Sequence, residues 1–382
     1  MKITKLDIVS WGGFMVFSTS SVITPICLPE ISKTLSTSLS EGGGMESART
    51  TIIMIVLLLS GILAQKWGKK PFLTSGQYLL TLGLLLASFA NNYITLILSL
   101  MMMGIGGGVM EALLSPLVVD LHPDDSGRYM NVTHAFYPIG VMVSALLFGE
   151  LLTRGVSWRW IFRLTAVEAL VIAILLNILR FPKPVTAEHS TGHMIRKIVI
   201  LPGFWLFAAA IFMGAGVESA FTFWSTSYVA AYLKDIPRAG ALAVMIFAAM
   251  MAIGRFLTAR FSHAVSLKML MGASALLGLV VSTLLPLAGT LFWFYVLLAL
   301  AGLAAACFWP TILAEAAACL KVDTTMLFVM LSCVGIAGFG FAPWLLGIIG
   351  DRSDLKAAFS VMPGFFVILF VVLFFEWRMS KK

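Results

Sequence analysis

Charge is what this chain is shortest of. Only 12% of its 382 residues are Asp, Glu, Lys or Arg, against 60% hydrophobic residues and a mean hydropathy of +0.98. Soluble domains carry about 25% charged residues, so this composition excludes them and requires a polytopic membrane protein. Cysteine is scarce too. Cys27, Cys307, Cys319 and Cys333 lie in or beside apolar segments without CxxC spacing, which leaves apolar packing as their role and argues against a disulfide framework or a metal site. His189 and His193 fall in a solvated polar stretch, which makes no metal centre of them. No basic stripe with interleaved aromatics exists. The Lys and Arg behind the net charge of +8 sit at the ends of apolar runs, so topology and not nucleic acid explains them. No metal cluster or nucleophile has the spacing of a membrane enzyme, and no cofactor is expected.

Apolar run length sets the architecture. A hydrocarbon layer of ~30 Å demands helices of about 20 residues, and twelve segments meet that need: 8–31, 50–66, 71–90, 94–120, 129–152, 159–180, 200–230, 240–261, 265–287, 291–319, 324–349 and 357–378. Lys2 and Lys5 precede the first without a small-residue cleavage site, so it reads as an uncleaved span. With both termini cytoplasmic, 17 of the 26 Lys and Arg fall inside and 9 outside, as the positive-inside rule requires. The polar stretch near mid-chain divides the sequence into a half at 1–181, a cytoplasmic linker at 182–199 and a second half at 200–382. Gly61 and Gly254 lie 193 apart, Pro116 and Pro310, which should break the fourth and tenth spans, 194, and Gly149 and Gly347 198. This near-constant offset is the mark of parallel repeats. The expected fold is an all-α integral membrane protein of twelve transmembrane helices in two pseudo-symmetric six-helix halves.

Several motifs carry a family resemblance over essentially the whole chain. Gly61-Ile-Leu-Ala-Gln-Lys-Trp-Gly-Lys-Lys70 resembles the loop between the second and third helices of the major facilitator superfamily, with Gln65 where that loop has an acid, and Trp158-Arg-Trp-Ile-Phe162 resembles the start of its sixth helix. Within the superfamily, Gly104 to Pro116, Ser126-Gly-Arg128, Asn131-Val-Thr-His134, Ile139-Gly140 and Gly216-Val-Glu218 are most similar to the fucose-permease-like, proton-coupled sugar transporters. The resemblance implies alternating access, with Gly61, Lys66, Gly68, Lys69 and Lys70 as a gating loop. Its lysines would meet carbonyls at helix ends, although anchoring by positive charge alone is the other reading. The first span departs from these relatives. Ser18-Thr-Ser-Ser21 with Pro25 and Pro29 gives a polar, interruptible helix, without the acid that proton-coupled fucose permeases carry near Thr19.

Glu111 is the candidate that stands out. A carboxylate at the centre of a membrane helix costs roughly 2.5–3.5 kcal/mol on insertion scales, so it lines a wet cavity, pairs with a partner or carries a proton. Gly104, Gly108, Glu111 and Ser115 follow i, i+4, i+7, i+11 spacing, which puts the acid on a face of small residues open to close approach and water. Nine residues separate it from Asp120, about 13 Å of helix, so it lies near half depth. His134 is a proton-coupling partner, a hydroxyl ligand or a structural hydrogen bonder. Asn131 and Tyr137 join it on the fifth span as solute-binding candidates. In the seventh span Glu218, Thr222 and Ser225 form a polar stripe, with Phe221, Trp224 and Tyr228 an aromatic one beside it, and Trp309 is a further aromatic candidate. This pairing suits a sugar, whereas packing or an interfacial belt is the other account of such stripes. Glu168, midway along the sixth span, is expected to be a buried acid that either shares the proton task of Glu111 or, since that helix is peripheral in the family the chain resembles, is structural.

The expectation that results is a secondary transporter in the cytoplasmic membrane, a monomer, moving a small polar solute such as a sugar with proton coupling through Glu111. A multidrug or metabolite exporter of the same fold and a transport-incompetent receptor are the alternatives.

Overall fold

The computed structural model describes residues 3–123, 126–182, 191–261, 264–322 and 324–379. Among them every element is helical. The order is α1 (Lys5–Leu35), α2 (Leu39–Trp67), α3 (Lys69–Ala87), α4 (Tyr93–Leu121), α5 (Ser126–Thr153), α6 (Trp158–Ile178), α7 (Thr191–Val199), α8 (Pro202–Tyr228), α9 (Pro237–Phe261), α10 (Leu267–Leu284), α11 (Leu291–Ala305), α12 (Phe308–Leu320), α13 (Thr324–Arg352), α14 (Leu355–Phe359) and α15 (Met362–Met379). Eleven helical stretches among the described residues are long and apolar enough to cross a membrane, α11 and α12 together making one. The 19-residue α3, packed on α4 and α6, falls on the third expected span but is not among those eleven.

Local chemistry sets where the helices begin. The Thr4 side chain accepts from the Asp7 amide while the Asp7 carboxylate accepts from the Thr4 amide, a capping box that opens α1. Asn92 and Thr95 do the same for α4, and Ser157, Ser266 and Thr290 cap α6, α10 and α11. Gly68 makes the turn from α2 to α3 with φ of 80°, a left-handed conformation costing other residues about 1–2 kcal/mol.

Proline breaks fewer helices than its positions suggested. α1 runs unbroken through Pro25 and Pro29, and α4 through Pro116. The break in the tenth span lies at Ala306–Cys307, and Pro310 sits in the first turn of α12, where its missing amide costs nothing. The expected linker differs as well: 183–190 lie outside the described residues, and 191–199 form α7, which rests on α8 and α13 through the buried Ile198.

The chain divides into two compact units, one of residues 1–37 and 48–189, the other of 38–47 and 190–382. In the first, α1 packs on α5, α4 and α6, and α3 on α4 and α6. The glycines of α4 make this possible. A Cβ on Gly104 would lie 2.6 Å from the Arg49 carbonyl oxygen, and one on Gly108 2.7 Å from that of Ile53, so the α2 backbone occupies that face. The expected close approach is there, but backbone takes the room expected for water. In the second unit α8 is central, packed on α13, α15, α9 and α12. The first turn of α2 also belongs to it: the Leu39 and Ser40 amides donate to the Asp351 carboxylate at 2.8 and 2.9 Å, an anion at a helix N-terminus.

Candidate functional site

In the first unit the polar atoms of α4 and α5 form a line. Glu111 is half-buried, and its carboxylate makes no hydrogen bond or ion pair with any described residue. One turn on, on the same side of α4, Ser115 Oγ lies 3.0 Å from Nε2 of His134, which is exposed on α5. The histidine ring leans on Phe14 of α1 at 4.9 Å between centroids. The donor in the Ser115–His134 bond depends on the tautomer of the imidazole. A carboxylate bonded to no described residue, one helical turn from a hydroxyl already bonded to an imidazole, is an arrangement that can take up and release protons.

The aromatics around this line come from α1 and α5. Trp11 stacks on Phe136 at 4.9 Å and 7°, its Nε1 donating to Thr133 Oγ1 at 3.1 Å, and Phe17 meets Tyr137 at 5.7 Å. Trp11, Phe136 and Tyr137 are half-buried. Of the residues singled out from sequence, Glu111, His134 and Tyr137 therefore lie on these adjoining helices. The Asn131 side chain lies outside the described residues, as does that of Gln65. Trp11, Phe14 and Phe136 were not foreseen, although Trp11, Phe14 and Phe17 recur every three residues along α1, a stripe that sequence alone displays.

The α2–α3 loop forms a clamp within the first unit. Lys69 Nζ donates to the Pro116 carbonyl at 2.9 Å and pairs with Asp120, and Lys70 Nζ donates to the Leu179 carbonyl at 2.8 Å. Both lysines reach the ends of helices, α4 and α6, where carbonyl dipoles favour a cation. Lys66 does not. It lies over the Trp67 ring at 5.6 Å, and Gly61 has open space where a Cβ would point. Beside the clamp, the buried Asp7 carboxylate binds the Thr4 amide and hydroxyl and His122 Nε2 at 2.8 Å, with His122 stacked on Tyr129. Residues 115 apart leave no local sequence pattern, so this pair was not foreseen.

The candidates on α8 have a different environment. Trp224 and Tyr228 are fully buried, the indole donating to the Pro343 carbonyl at 3.1 Å and the phenol to the Pro286 carbonyl at 3.2 Å. Phe221 packs among Phe247, Phe359 and Phe366, and Tyr228 stacks on Phe294 at 4.9 Å. The Thr222 hydroxyl donates back to the Glu218 and Ser219 carbonyls, and that of Ser225 to the Phe221 carbonyl. Trp224, Tyr228 and Thr222 thus spend their donors on backbone carbonyls, whereas the sequence reading had them facing a solute. Glu218 is half-buried, with the charge of Arg255 on α9 acting on it, and Trp309 is half-buried against Phe339. Glu168 corrects another expectation. It is exposed on α6 between Val167 and Val171, 61% and 50% exposed, because that face of the helix has no partner within the unit.

Comparison with known proteins places this geometry. The chain is 28% identical over 205 residues to the riboflavin transporter RibZ of Clostridioides difficile, a match covering 53% of this chain and 43% of that protein, so it spans less than half of that relative. A solved bacterial homologue of the human lysosomal transporter Spinster, in an inward-facing and occupied conformation, superposes with a TM-score of 0.83 at 14% identity, covering 98% of this chain and 96% of that one. The Escherichia coli fucose:proton symporter FucP superposes with a TM-score of 0.67 at 19% identity, covering 97% and 98%. At these identities the two structures share the fold and nothing narrower is drawn from them. The Major Facilitator Superfamily model matches residues 9–271. The chain belongs to the Major Facilitator Superfamily, a family of transporters and not of enzymes.

Proposed function

We propose that this chain is a proton-coupled carrier in which Glu111 is the proton-binding group and His134, through Ser115, the group that shares its proton. The observation that carries the reading is the Glu111 carboxylate itself: in mid-span, half-buried, and bonded to no described residue. A carboxylate held at such cost without a structural partner is kept for what it does when it titrates. Coupling follows if its oxygens meet water from alternate sides of the membrane as the carrier cycles. The protein acts in the cytoplasmic membrane with both termini inside, as the distribution of its Lys and Arg supports.

The solute is a small neutral molecule with a ring face and hydroxyls, a sugar in the first reading. Trp11, Phe136 and Tyr137 supply ring faces, and His134 and Glu111 supply hydrogen-bonding atoms. A second reading, a planar aromatic solute moved against protons as an exporter would move it, is favoured by the near-parallel Trp11–Phe136 stack and by the likeness to a protein named a riboflavin transporter.

The test is a thermal-shift screen of the purified protein against hexoses, sugar acids, riboflavin and lipophilic cations, at acidic and neutral pH, with wild type and Glu111→Gln, followed by uptake into proteoliposomes under an imposed pH gradient. A neutral sugar should stabilise the wild type in a pH-dependent way, and Glu111→Gln should remove that dependence and reduce gradient-driven flux to the level of empty liposomes. Stabilisation by riboflavin or lipophilic cations alone selects the second reading. Unchanged gradient-driven flux in Glu111→Gln rejects the role of Glu111 under both.

A further inference from the structure

A cleft of about 530 Å³ opens at one end of the first unit, where the start of α1 meets the ends of α4 and α6. That volume lies within the ~300–1,000 Å³ of sites that hold small ligands. Its lining is of two kinds. Lys5 and Arg180 bring charge, and both are exposed and make no hydrogen bond or ion pair with a described residue. Leu121, Ile178 and Phe181 bring apolar wall. A third cation stands at the edge, because Lys70 donates to the carbonyl of Leu179, itself a lining residue, and lies 5.9 Å from the centre of the Phe181 ring.

Among the described residues no acid lines the cleft. The nearest carboxylates are committed elsewhere, that of Asp7 to Thr4 and His122 and that of Asp120 to Lys69. Among the described residues, therefore, nothing neutralises this positive charge beside an apolar surface. That surface continues out of the cleft: Ile178 is 66% exposed, and Ile8, one turn along α1 from Lys5, is 58% exposed. Leu121 lies ten residues beyond Glu111 on α4, about 15 Å along the axis, so the cleft is separate from the Glu111 line.

We propose that this cleft binds one anionic glycerophospholipid, its phosphate between Lys5 and Arg180 and an acyl chain along Ile178 and Ile8. A guanidinium presents a fork of donors that matches two phosphate oxygens, and the ammonium adds a point charge. Free phosphate would use the cations and leave the apolar track bare. A zwitterionic lipid would bring its own cation against two others, whereas an anionic head group brings none. Basic pockets between transmembrane helices hold such head groups for this reason.

The experiment is native mass spectrometry of the full chain in neutral detergent, titrated with phosphatidylglycerol, phosphatidylcholine and inorganic phosphate. The proteins are wild type, Arg180→Gln, Lys5→Gln with Arg180→Gln, and Arg154→Gln, which removes one exposed cation paired with Glu150 outside the cleft. Phosphatidylglycerol should bind the wild type on the order of tenfold more tightly than phosphatidylcholine, an advantage that Arg180→Gln reduces and the double variant abolishes. Arg154→Gln should keep it. Equal binding of the two lipids, an advantage retained in the double variant, or displacement of phosphatidylglycerol by inorganic phosphate at comparable concentration would each overturn the proposal. The Lys5 and Arg180 side chains bond no described residue, so their variants should match the wild type in lipid-free thermal midpoint; should the double variant not fold, Arg180→Gln alone decides.

Discussion

The α4–α5 line of the first unit and α8 of the second carry similar chemistry, acids, hydroxyls and aromatics on membrane helices, and use it in opposite ways. On α8 the donors are consumed: Trp224 by Pro343, Tyr228 by Pro286, Ser219 by Phe339, and Thr222 and Ser225 by their own helix. These bonds tie α8 to α13 and to the turn after α10. On α4 the Glu111 carboxylate bonds no described residue, and Ser115 bonds only as far as an exposed histidine. Polar groups in a membrane helix thus divide into those that join helices and those kept available, and burial with a satisfied partner is the criterion that separates them.

The largest expected effect tests the joined side. Trp224→Ala removes a fully buried indole from among α8 and α13, and large-to-small aromatic changes cost about 3–5 kcal/mol. The unfolding free energy of the purified protein in detergent should fall by that amount. A variant with unchanged stability but lost solute binding would move Trp224 to the available side and break the comparison.

Tyr228→Phe is a finer cut at the same helix. It keeps the ring on Phe294 and Phe359 and deletes only the bond to the Pro286 carbonyl. Interhelical hydrogen bonds in membranes average about 0.6 kcal/mol and reach about 1.7, and burial of this one points to the upper part of that range. Transport by Tyr228→Phe should remain near wild type. A loss of transport with full stability would make the phenol a solute ligand after all.

Much of the fold was legible because it depends on quantities that sequence carries directly. Apolar run length dictates the spans, and a lone carboxylate within one of them, Glu111, is conspicuous by cost. That Lys69 and Lys70 meet helix ends was implied by the family resemblance of their loop, which implied the same of Lys66, found over Trp67 instead. What sequence could not supply was the occupant of each helix face. Gly104 and Gly108 mark a face that admits close approach, and only the fold reveals that the α2 backbone fills it. The stripe of Phe221, Trp224 and Tyr228 has the same spacing whether it meets a void or Phe247, Phe294 and Phe366. Glu168 sits midway along an apolar helix, and period alone does not say which side is outward. Asp7 and His122 are brought together by α1 and α4, across a separation that no local pattern spans.

The smallest expected effects sharpen the comparison most, because they set two hydroxyls against each other. Thr222 bonds to carbonyls of its own helix, so Thr222→Val removes a bond that holds nothing else in place. It should change neither stability, beyond about 0.6 kcal/mol, nor transport. Ser115→Ala removes an exposed bond from α4 to a side chain on α5 and should be equally mild for stability. Its partner, however, is the imidazole proposed to share the proton of Glu111. Loss of the hydroxyl changes which ring nitrogen holds a proton and how readily it leaves, so the pH profile of gradient-driven transport should shift in Ser115→Ala and stay in place in Thr222→Val. Uptake measured across pH for both variants decides: coincident profiles would mean that the hydroxyl on α4 is as structural as the one on α8.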